Sequence, residues 1–78
     1  MNIKFKSTRE VIDFVNMVNQ IEGDVIIYCG HIEIDAKSTM GMMSIPINKE
    51  LKVTINTAND IAENNFMKEV EKYKVWEL

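Results

Sequence analysis

The chain has 78 residues, of which 12 are acidic and 9 are basic, and its formal net charge is −3. A chain of this length forms one domain with a thin core, and a single cysteine excludes an intramolecular disulfide and a four-cysteine zinc site. The acidic balance gives no field that would attract nucleic acid, and no apolar run is long enough for a signal peptide or a membrane span. We therefore expect a small cytoplasmic domain over residues 1–78 that binds neither nucleic acid nor membranes.

The N-terminal part predicts a strand followed by a helix. Ile3 and Phe5 alternate with polar residues, which is typical of a half-buried strand. Ser7 and Glu10 have the spacing of a capping box, in which each side chain accepts a hydrogen bond from the backbone N–H of the other residue. Apolar residues then recur at helical spacing, which predicts a helix that ends near Gln20 (Val11, Phe14, Val15 and Val18).

The next segment predicts a β-hairpin. Residues 25–29 are rich in β-branched and aromatic side chains, a composition typical of a strand in the centre of a sheet. Gly30 and His31 form the predicted turn. Ile32 and Ile34 alternate with acidic residues, so we predict a second strand that pairs antiparallel with the first strand of this hairpin.

The second half predicts a short helix, a strand and a long helix. Residues 37–45 form the short helix, with Ser38 as its N-terminal cap, and Pro46 ends it. Alternation predicts a strand over residues 51–56, and residues 57–60 begin the last helix, whose apolar face we assign to Ala58, Ile61, Ala62, Phe66, Val70 and Tyr73. The resulting order is βαββαβα, which predicts an α+β fold with a four-stranded antiparallel sheet and three helices on one face.

His31 is the only histidine, and it lies two residues after Cys29. A zinc site needs three or four protein ligands, and the nearby Glu33 and Asp35 lie on the polar side of their strand. A cysteine–histidine nucleophile would need a third group to orient the imidazole, and none is evident. We interpret His31 as a solvated turn residue and predict no catalytic residue, no metal site and no cofactor.

The short helix leaves two interpretations open. Met40, Met42 and Met43 cannot all point inward, so they predict either core packing with one exposed methionine or an exposed apolar docking patch. Ser38 is either a plain helix cap or a phosphorylation site, since free backbone N–H groups and the positive end of a helix favour a phosphate there.

Residues 36–45 read Ala-Lys-Ser-Thr-Met-Gly-Met-Met-Ser-Ile. This string resembles the Lys-Ser-Ile-Met-Gly-Val-Met-Ser-Leu segment of HPr, the histidine-containing phosphocarrier of the bacterial sugar phosphotransferase system. The resemblance continues through residues 50–55 and the last helix, and backward through residues 22–25 to the first helix. It implies the HPr fold, an open-faced β-sandwich with βαββαβα topology, in a divergent member of the family.

The resemblance also assigns roles to residues of this chain. Ser38 matches the serine that an ATP-dependent kinase phosphorylates in Gram-positive relatives. The partner-docking surface of the family corresponds to residues around the short helix, where Thr39 replaces the usual aliphatic residue (Lys37, Thr39, Met40 and Met43). The active histidine of HPr has a His-x-Arg-Pro setting at the first helix, but here Ser7 takes the histidine position, Arg9 matches the arginine and Glu10 takes the proline position.

Two hypotheses follow from this degenerate active-site region at Ser7 and Arg9. The first is a monomeric, non-catalytic regulatory or adaptor protein whose partners are HPr kinase or other proteins of the phosphotransferase system, regulated through Ser38. The alternative is an interaction module that keeps the fold without any phosphorylation role. An enzyme or a true phosphocarrier is disfavoured because neither an acceptor histidine nor an acid/base pair is present at the expected place.

Overall fold

The computed structural model describes residues 1–75. The elements are β1 (Asn2–Ile3), α1 (Thr8–Val18), β2 (Asp24–Cys29), β3 (Ile32–Asp35), α2 (Thr39–Met43), β4 (Leu51–Asn56) and α3 (Asp60–Val70), followed by a 3-10 turn over Glu71–Tyr73. This is the predicted βαββαβα order, and the predicted α+β fold class is confirmed. No helix in the described part of the chain is long and apolar enough to cross a membrane.

The four strands form one antiparallel sheet in the order β1-β4-β2-β3. The strand β2 lies in the interior of the sheet, as its β-branched composition predicts. Ile27 of β2 pairs with Ile34 on one side and with Val53 on the other, and all three side chains are buried on the inner face. The neighbouring Ile26 and Tyr28 point to the opposite face and are half-buried.

Four aromatic rings join α1 and α3 over the inner face of the sheet. The ring of Phe14 lies 5.1 Å from that of Phe5, 5.5 Å from that of Tyr73 and 6.4 Å from that of Phe66, measured between centroids. All these pairs are edge-to-face, the geometry that aromatic quadrupoles favour. The predicted apolar face of α1 is buried as expected (Val11, Phe14, Val15 and Val18), so α1 and α3 share one core on the same side of the sheet.

The first strand is shorter than predicted. Phe5 is almost completely buried but lies outside β1. At this point the chain leaves β4, because the backbone N–H of Lys4 donates to the carbonyl of Tyr73 at 2.9 Å and the carbonyl of Phe5 accepts from the N–H of Asn48 at 2.8 Å. Alternation identified the buried residues correctly, but these tertiary hydrogen bonds end the strand after Ile3.

One of the two hydrogen bonds of the predicted capping box of α1 is present. The hydroxyl of Ser7 accepts from the backbone N–H of Glu10 at 3.2 Å, which confirms the N-terminal cap. The carboxylate of Glu10 accepts from the N–H of Lys6 at 2.8 Å, whereas the capping-box spacing predicts a bond from the N–H of Ser7. Glu10 therefore also ties down the residue that precedes the cap. The helix ends at Val18, two residues before the predicted end.

The apolar face predicted for the last helix was wrong at its start. The amide oxygen of Asn59 accepts from the N–H groups of Ile61 and Ala62 at 3.0 Å each, so Asn59 is the cap and the helix begins at Asp60. Ala58 consequently lies before the helix, and Ile61 in its first turn is 73% exposed. Further along, Phe66, Val70 and Tyr73 are buried as predicted, with Tyr73 in the 3-10 turn (Glu71–Tyr73).

The two ends of the described chain meet at the edge of the sheet. Ile3 and Lys74 form an isolated antiparallel bridge, and the N–H of Val75 donates to the carbonyl of Asn2 at 2.9 Å. Residues 74–75 therefore cover the side of β1 that does not face β4, which removes exposed backbone groups from this edge.

Candidate functional site

Ser38 occupies the N-terminal cap of α2. Its backbone is extended, with φ −86° and ψ 111°, and its hydroxyl accepts from the N–H of Gly41 at 3.2 Å. The N–H of Ser38 itself donates to the carbonyl of Asp35 at 2.9 Å. A Cβ atom on Gly41 would lie 3.1 Å from Cγ2 of Ile34 and 3.3 Å from the Ser38 hydroxyl oxygen. The absent side chain therefore lets α2 pack closely on β3 while it keeps the cap.

The three methionines of α2 divide between core and surface. Met42 is completely buried, whereas the side chains of Met40 and Met43 are 88% and 46% exposed. This confirms the prediction that they cannot all point inward, and it leaves two of them exposed. Thr39 is exposed as well. We call Thr39, Met40 and Met43 the α2 surface; it is apolar apart from the threonine hydroxyl.

Lys37 lies just before this surface, but its ammonium group is already hydrogen-bonded within the molecule. Its ammonium group donates to the carbonyl of Ile21 at 2.8 Å, and its own carbonyl accepts from the amide of Asn19 at 3.2 Å. The same amide nitrogen donates to the carbonyl of Val15 at 2.8 Å. These bonds fix the end of α1 against the start of α2. The sequence reasoning missed Asn19, because nothing in the sequence marks its side chain as a bridge.

The residues predicted as a degenerate active-site region lie at the other end of α1. Ser7 is exposed and caps the helix, and Nε of Arg9 lies 3.3 Å from a carboxylate oxygen of Asp13 in an exposed i,i+4 pair. The rise of an α-helix places Ser7 roughly 18 Å from Asn19, which contacts Lys37 beside Ser38. The structure therefore does not bring Ser7 and Ser38 together.

His31 lies exposed in the turn between β2 and β3, as predicted. The strand β4 separates β2, which leads to His31, from β1, which leads to Ser7, so these two strands are about 10 Å apart. Cys29 is a free, half-buried thiol. Within residues 1–75, no group of three or more histidine, cysteine, aspartate or glutamate side chains is placed to hold a metal ion.

The sequence reasoning also missed a lysine-lined depression of about 350 Å³ where the two chain ends meet. Its lining consists of Lys4, Lys6, Glu10, Lys72, Tyr73, Lys74 and Val75. These residues are separated by most of the chain and come together only through the pairing of residues 73–75 with residues 2–4. No motif within one segment could reveal this group.

Tyr73 is the one described residue with a clearly shifted pKa. Burial, reinforced by the negative charges of Asp13, Glu10 and Glu69, raises the pKa of Tyr73 to about 12. Its hydroxyl is therefore protonated at physiological pH.

Comparison with known proteins agrees with this architecture. A family model described as PTS HPr component phosphorylation site matches residues 7–73. The fold is similar to that of the phosphocarrier protein HPr from Bacillus anthracis, with a TM-score of 0.75, 22% identity, and coverage of 95% of this chain and 94% of that one. It is also similar to HPr-C-His from Thermoanaerobacter tengcongensis, with a TM-score of 0.72, 20% identity, and coverage of 100% and 97%.

A further structural neighbour is Crh from Bacillus subtilis, the catabolite repression containing protein. Its TM-score is 0.65 at 21% identity, with coverage of 95% of this chain and 88% of that one, and that protein forms an intertwined dimer with a swapped domain. No significant match was found among curated protein sequences.

Proposed function

Because the chain belongs to the HPr family of the phosphotransferase system, we propose that it is a cytoplasmic regulatory or adaptor protein whose binding surface is controlled by phosphorylation of Ser38. It does not carry phosphohistidine. Proteins of this family are carriers and regulators rather than catalysts, so the function lies in which partner docks on the chain and when.

The observation that carries this proposal is the position of Ser38 directly before the α2 surface. Its side chain is half-buried, and Met40, two residues on, is 88% exposed. A phosphoryl group on the hydroxyl adds about −1.5 to −2 charges at pH 7 and three acceptor oxygens. The same surface is therefore apolar before modification and bears a strong anion after it, which changes the chemistry of the partner that it accepts.

The N-terminal cap of α2 accommodates a phosphoryl group on Ser38 without rearrangement of the core. The Ser38 oxygen bonds to a backbone N–H at the start of the helix, and a phosphate there retains N–H donors as partners. The carboxylate of Asp35 accepts from the N–H of Lys37, the residue before Ser38, at 3.0 Å. Its negative charge opposes that of the phosphate. We expect the modification to alter the surface rather than to unfold the helix.

The absence of phosphohistidine is supported by the placement of the single imidazole. The start of α1 holds Ser7, whose hydroxyl is engaged as a helix cap. Arg9 pairs with Asp13 along the same helix. His31 lies in a turn that follows a different strand. A serine hydroxyl is a poor replacement for an imidazole in rapid, reversible phosphoryl transfer, because it is a far weaker nucleophile near neutral pH.

Incubation with ATP and an HPr kinase tests the first half of the proposal. We expect one phosphoryl group, located on Ser38 by mass spectrometry and lost in Ser38→Ala. Ser44→Ala is the matched control, since Ser44 is the serine at the other end of α2, and it should be labelled normally. Label that persists in Ser38→Ala, or no label on the unmodified chain, would contradict a regulatory role for Ser38.

Incubation with phosphoenolpyruvate and enzyme I tests the second half. We expect no acid-labile, alkali-stable label, which is the signature of a phosphorylated imidazole. His31→Ala serves as the control: label that appears on the natural sequence and disappears in this variant would show that His31 accepts phosphate and that the chain is a carrier after all.

The alternative, an HPr-fold interaction module without a phosphorylation role, is favoured by the exposure of the α2 surface itself. Met40 and Met43 are already exposed in the unmodified chain. A partner that binds equally well to the natural chain and to Ser38→Asp, but not to Met40→Ser, would support this alternative over the proposal.

A further inference from the structure

We propose that Met40 and Met43 form an oxidation site through which hydrogen peroxide weakens docking on the α2 surface. This inference rests on the proposed function, because it adds a second means of control to the surface that Ser38 is proposed to regulate. Three conditions have to hold. The oxidant must reach the two sulfur atoms, the fold must survive their oxidation, and the chemistry of the surface must change as a result.

The oxidant can reach two of the three methionines of α2. Met40 is 88% exposed and Met43 is 46% exposed, whereas Met42 is completely buried. Positions 40 and 43 are three residues apart in a helix, so their side chains lie on one face. A thioether has no ionisable proton, so exposure rather than a pKa determines how fast each sulfur is oxidised. Met40 is therefore oxidised first and Met42 is protected.

The reaction adds one oxygen atom to each exposed sulfur. A sulfur lone pair attacks one oxygen of hydrogen peroxide, the O–O bond breaks and an S–O bond forms. The second oxygen leaves as water after proton transfer, so the sulfur loses two electrons and the peroxide gains two. Methionine sulfoxide reductases return the product to methionine. The modification is therefore reversible, which a means of control requires.

The fold of α2 is held by other groups. The buried residue through which this helix enters the core is Met42. On the same helix, Gly41 lies so close to Ile34 that an added Cβ would be 3.1 Å from the Cγ2 of that residue. The cap of α2 is a bond from the N–H of Gly41 to the hydroxyl of Ser38, and it involves no methionine side chain. Oxidation of the two exposed methionines therefore leaves the core contact and the cap in place.

Oxidation makes the α2 surface polar. Apart from the hydroxyl of Thr39, this surface consists of the side chains of Met40 and Met43. A sulfoxide replaces a flexible apolar thioether by a polar, chiral group. A partner that buries these side chains in an apolar contact then has to bury the sulfoxide oxygen without a hydrogen-bond donor, which is unfavourable. We therefore expect oxidation to weaken docking of HPr kinase and to slow phosphorylation of Ser38.

The other sulfur atoms of the chain provide controls. Met67 of α3 is 41% exposed, close to the 46% of Met43, but it lies outside the α2 surface. Met1 and Met17 are partly buried and pack against the core. Cys29 is a free, half-buried thiol that peroxide also oxidises. The measurements are therefore made on the natural chain and repeated on Cys29→Ala.

Peptide mapping by mass spectrometry after brief treatment with hydrogen peroxide tests the site itself. We expect sulfoxide at Met40 first, formed at least about tenfold faster than at Met42. Met43 and Met67 should react at similar intermediate rates, since their exposures are similar. The urea midpoint should stay unchanged while Met42 is unmodified. Equal rates at Met40 and Met42 would overturn the site, because they would show that burial does not separate the two sulfurs.

The rate of Ser38 phosphorylation by HPr kinase and ATP, measured after removal of the peroxide, tests the control. We expect oxidation to slow labelling at least about fivefold, the effect of losing one important contact residue. Treatment with methionine sulfoxide reductases should restore the rate. The double variant Met40→Leu, Met43→Leu keeps apolar side chains of similar size, so it should be labelled before oxidation and be insensitive to peroxide. Met67→Leu should be as sensitive as the natural chain.

The outcomes separate this inference from the proposed function. Labelling that is equally fast before and after oxidation of Met40 and Met43 would overturn the redox control and leave the role of Ser38 intact. No label on the unoxidised chain would contradict the proposed function and the redox control together. Sensitivity that persists in the double variant, or that disappears in Cys29→Ala or Met67→Leu, would assign the effect to another sulfur. A urea midpoint that falls together with the labelling rate would show oxidative unfolding instead of a change at the surface.

Discussion

The hydroxyl oxygen of Ser38 lies 3.2 Å from the backbone nitrogen of Gly41, and a Cβ on Gly41 would lie only 3.3 Å from that same oxygen. The cap and the glycine therefore depend on each other. Ser38 satisfies an N–H group that the short helix leaves without an intrahelical partner, and Gly41 leaves the space in which the hydroxyl makes this bond. The residue proposed for modification is thus also a structural element of α2.

This relationship predicts a measurable loss of stability in Ser38→Ala. We expect the free energy of unfolding in urea to fall by about 1 kcal/mol, the usual contribution of a serine cap. Ser7→Ala should cost a similar amount, since Ser7 caps α1 with the same distance of 3.2 Å. Thr39→Ala is the control: its side chain is exposed next to the cap, and we expect no loss. A Ser38→Ala variant as stable as the natural chain would show that the hydroxyl contributes nothing to folding.

The two glycines with positive φ should respond differently to alanine. At Gly23, with φ 118°, a Cβ would lie 2.6 Å from Cβ of Thr57 and 2.7 Å from the carbonyl oxygen of Asn56, so backbone has to move. We expect Gly23→Ala to lower the free energy of unfolding by at least about 2 kcal/mol. At Gly30, with φ 61°, no atom lies within 4 Å of the added Cβ, and only the left-handed backbone opposes the change.

Gly30→Ala should consequently cost about 1 kcal/mol. Comparison of the two urea midpoints separates Gly23, where contacts with the end of β4 add to a φ outside the left-handed helical region, from Gly30, where only the left-handed backbone opposes alanine. Equal losses in the two variants would mean that residues 56–57 yield freely and that the close approach is not a constraint.

The raised pKa of Tyr73 predicts a loss of stability at alkaline pH. Burial holds the pKa at about 12 in the folded chain, against 10.0 for an ordinary tyrosine. Because the unfolded chain releases the proton at lower pH, it is favoured as the pH rises, and the stability present below pH 10 is lost progressively up to about pH 12. Absorbance of the phenolate follows the titration directly, and urea midpoints at pH 9 and pH 11 measure its effect, with both values chosen around the ordinary tyrosine pKa.

Tyr73→Phe is the matched variant for this measurement. It keeps the ring in contact with Phe5 and Phe14 but removes the ionisable group. Its stability should therefore fall less between the two pH values than that of the natural chain. If both chains lose the same amount, other groups cause the alkaline effect and the burial of the Tyr73 hydroxyl is irrelevant to it.

Local sequence patterns predicted most of the fold. The features that these patterns missed are determined by tertiary contacts. The spacing of Val11 and Phe14 identified α1 because one face of the helix is buried against a single core. The predicted apolar face of α3 was wrong at Ile61. The amide of Asn59 determines where that helix starts, and periodicity alone does not indicate which of several polar residues caps it. The end of β1 depends on bonds to Asn48 and Tyr73, which are distant in sequence.

The candidate site also combines features that local patterns predict with features that depend on tertiary contacts. Ser38 and the exposed methionines were predicted from one continuous segment, in which the cap, the glycine and the apolar residues are neighbours. The bridge from Asn19 to Lys37 and the depression lined by Lys4 and Lys72 were not. Each of these joins residues from separate elements, and a single sequence contains no record of which side chains meet across a fold.

The division of methionines within α2 gives the last prediction. Met42 is completely buried, so Met42→Ala leaves a cavity and should lower the free energy of unfolding by about 2 to 5 kcal/mol. Met40 is 88% exposed, and Met40→Ala should change stability by less than about 0.5 kcal/mol. Stability alone therefore gives no reason for a large apolar side chain at position 40, whereas docking of a partner does. In a binding assay with HPr kinase, Met40→Ala should weaken the interaction while its urea midpoint stays unchanged. A variant that binds as well as the natural chain would remove Met40 from the docking surface, and a large loss of stability would show that this side chain packs against the fold after all.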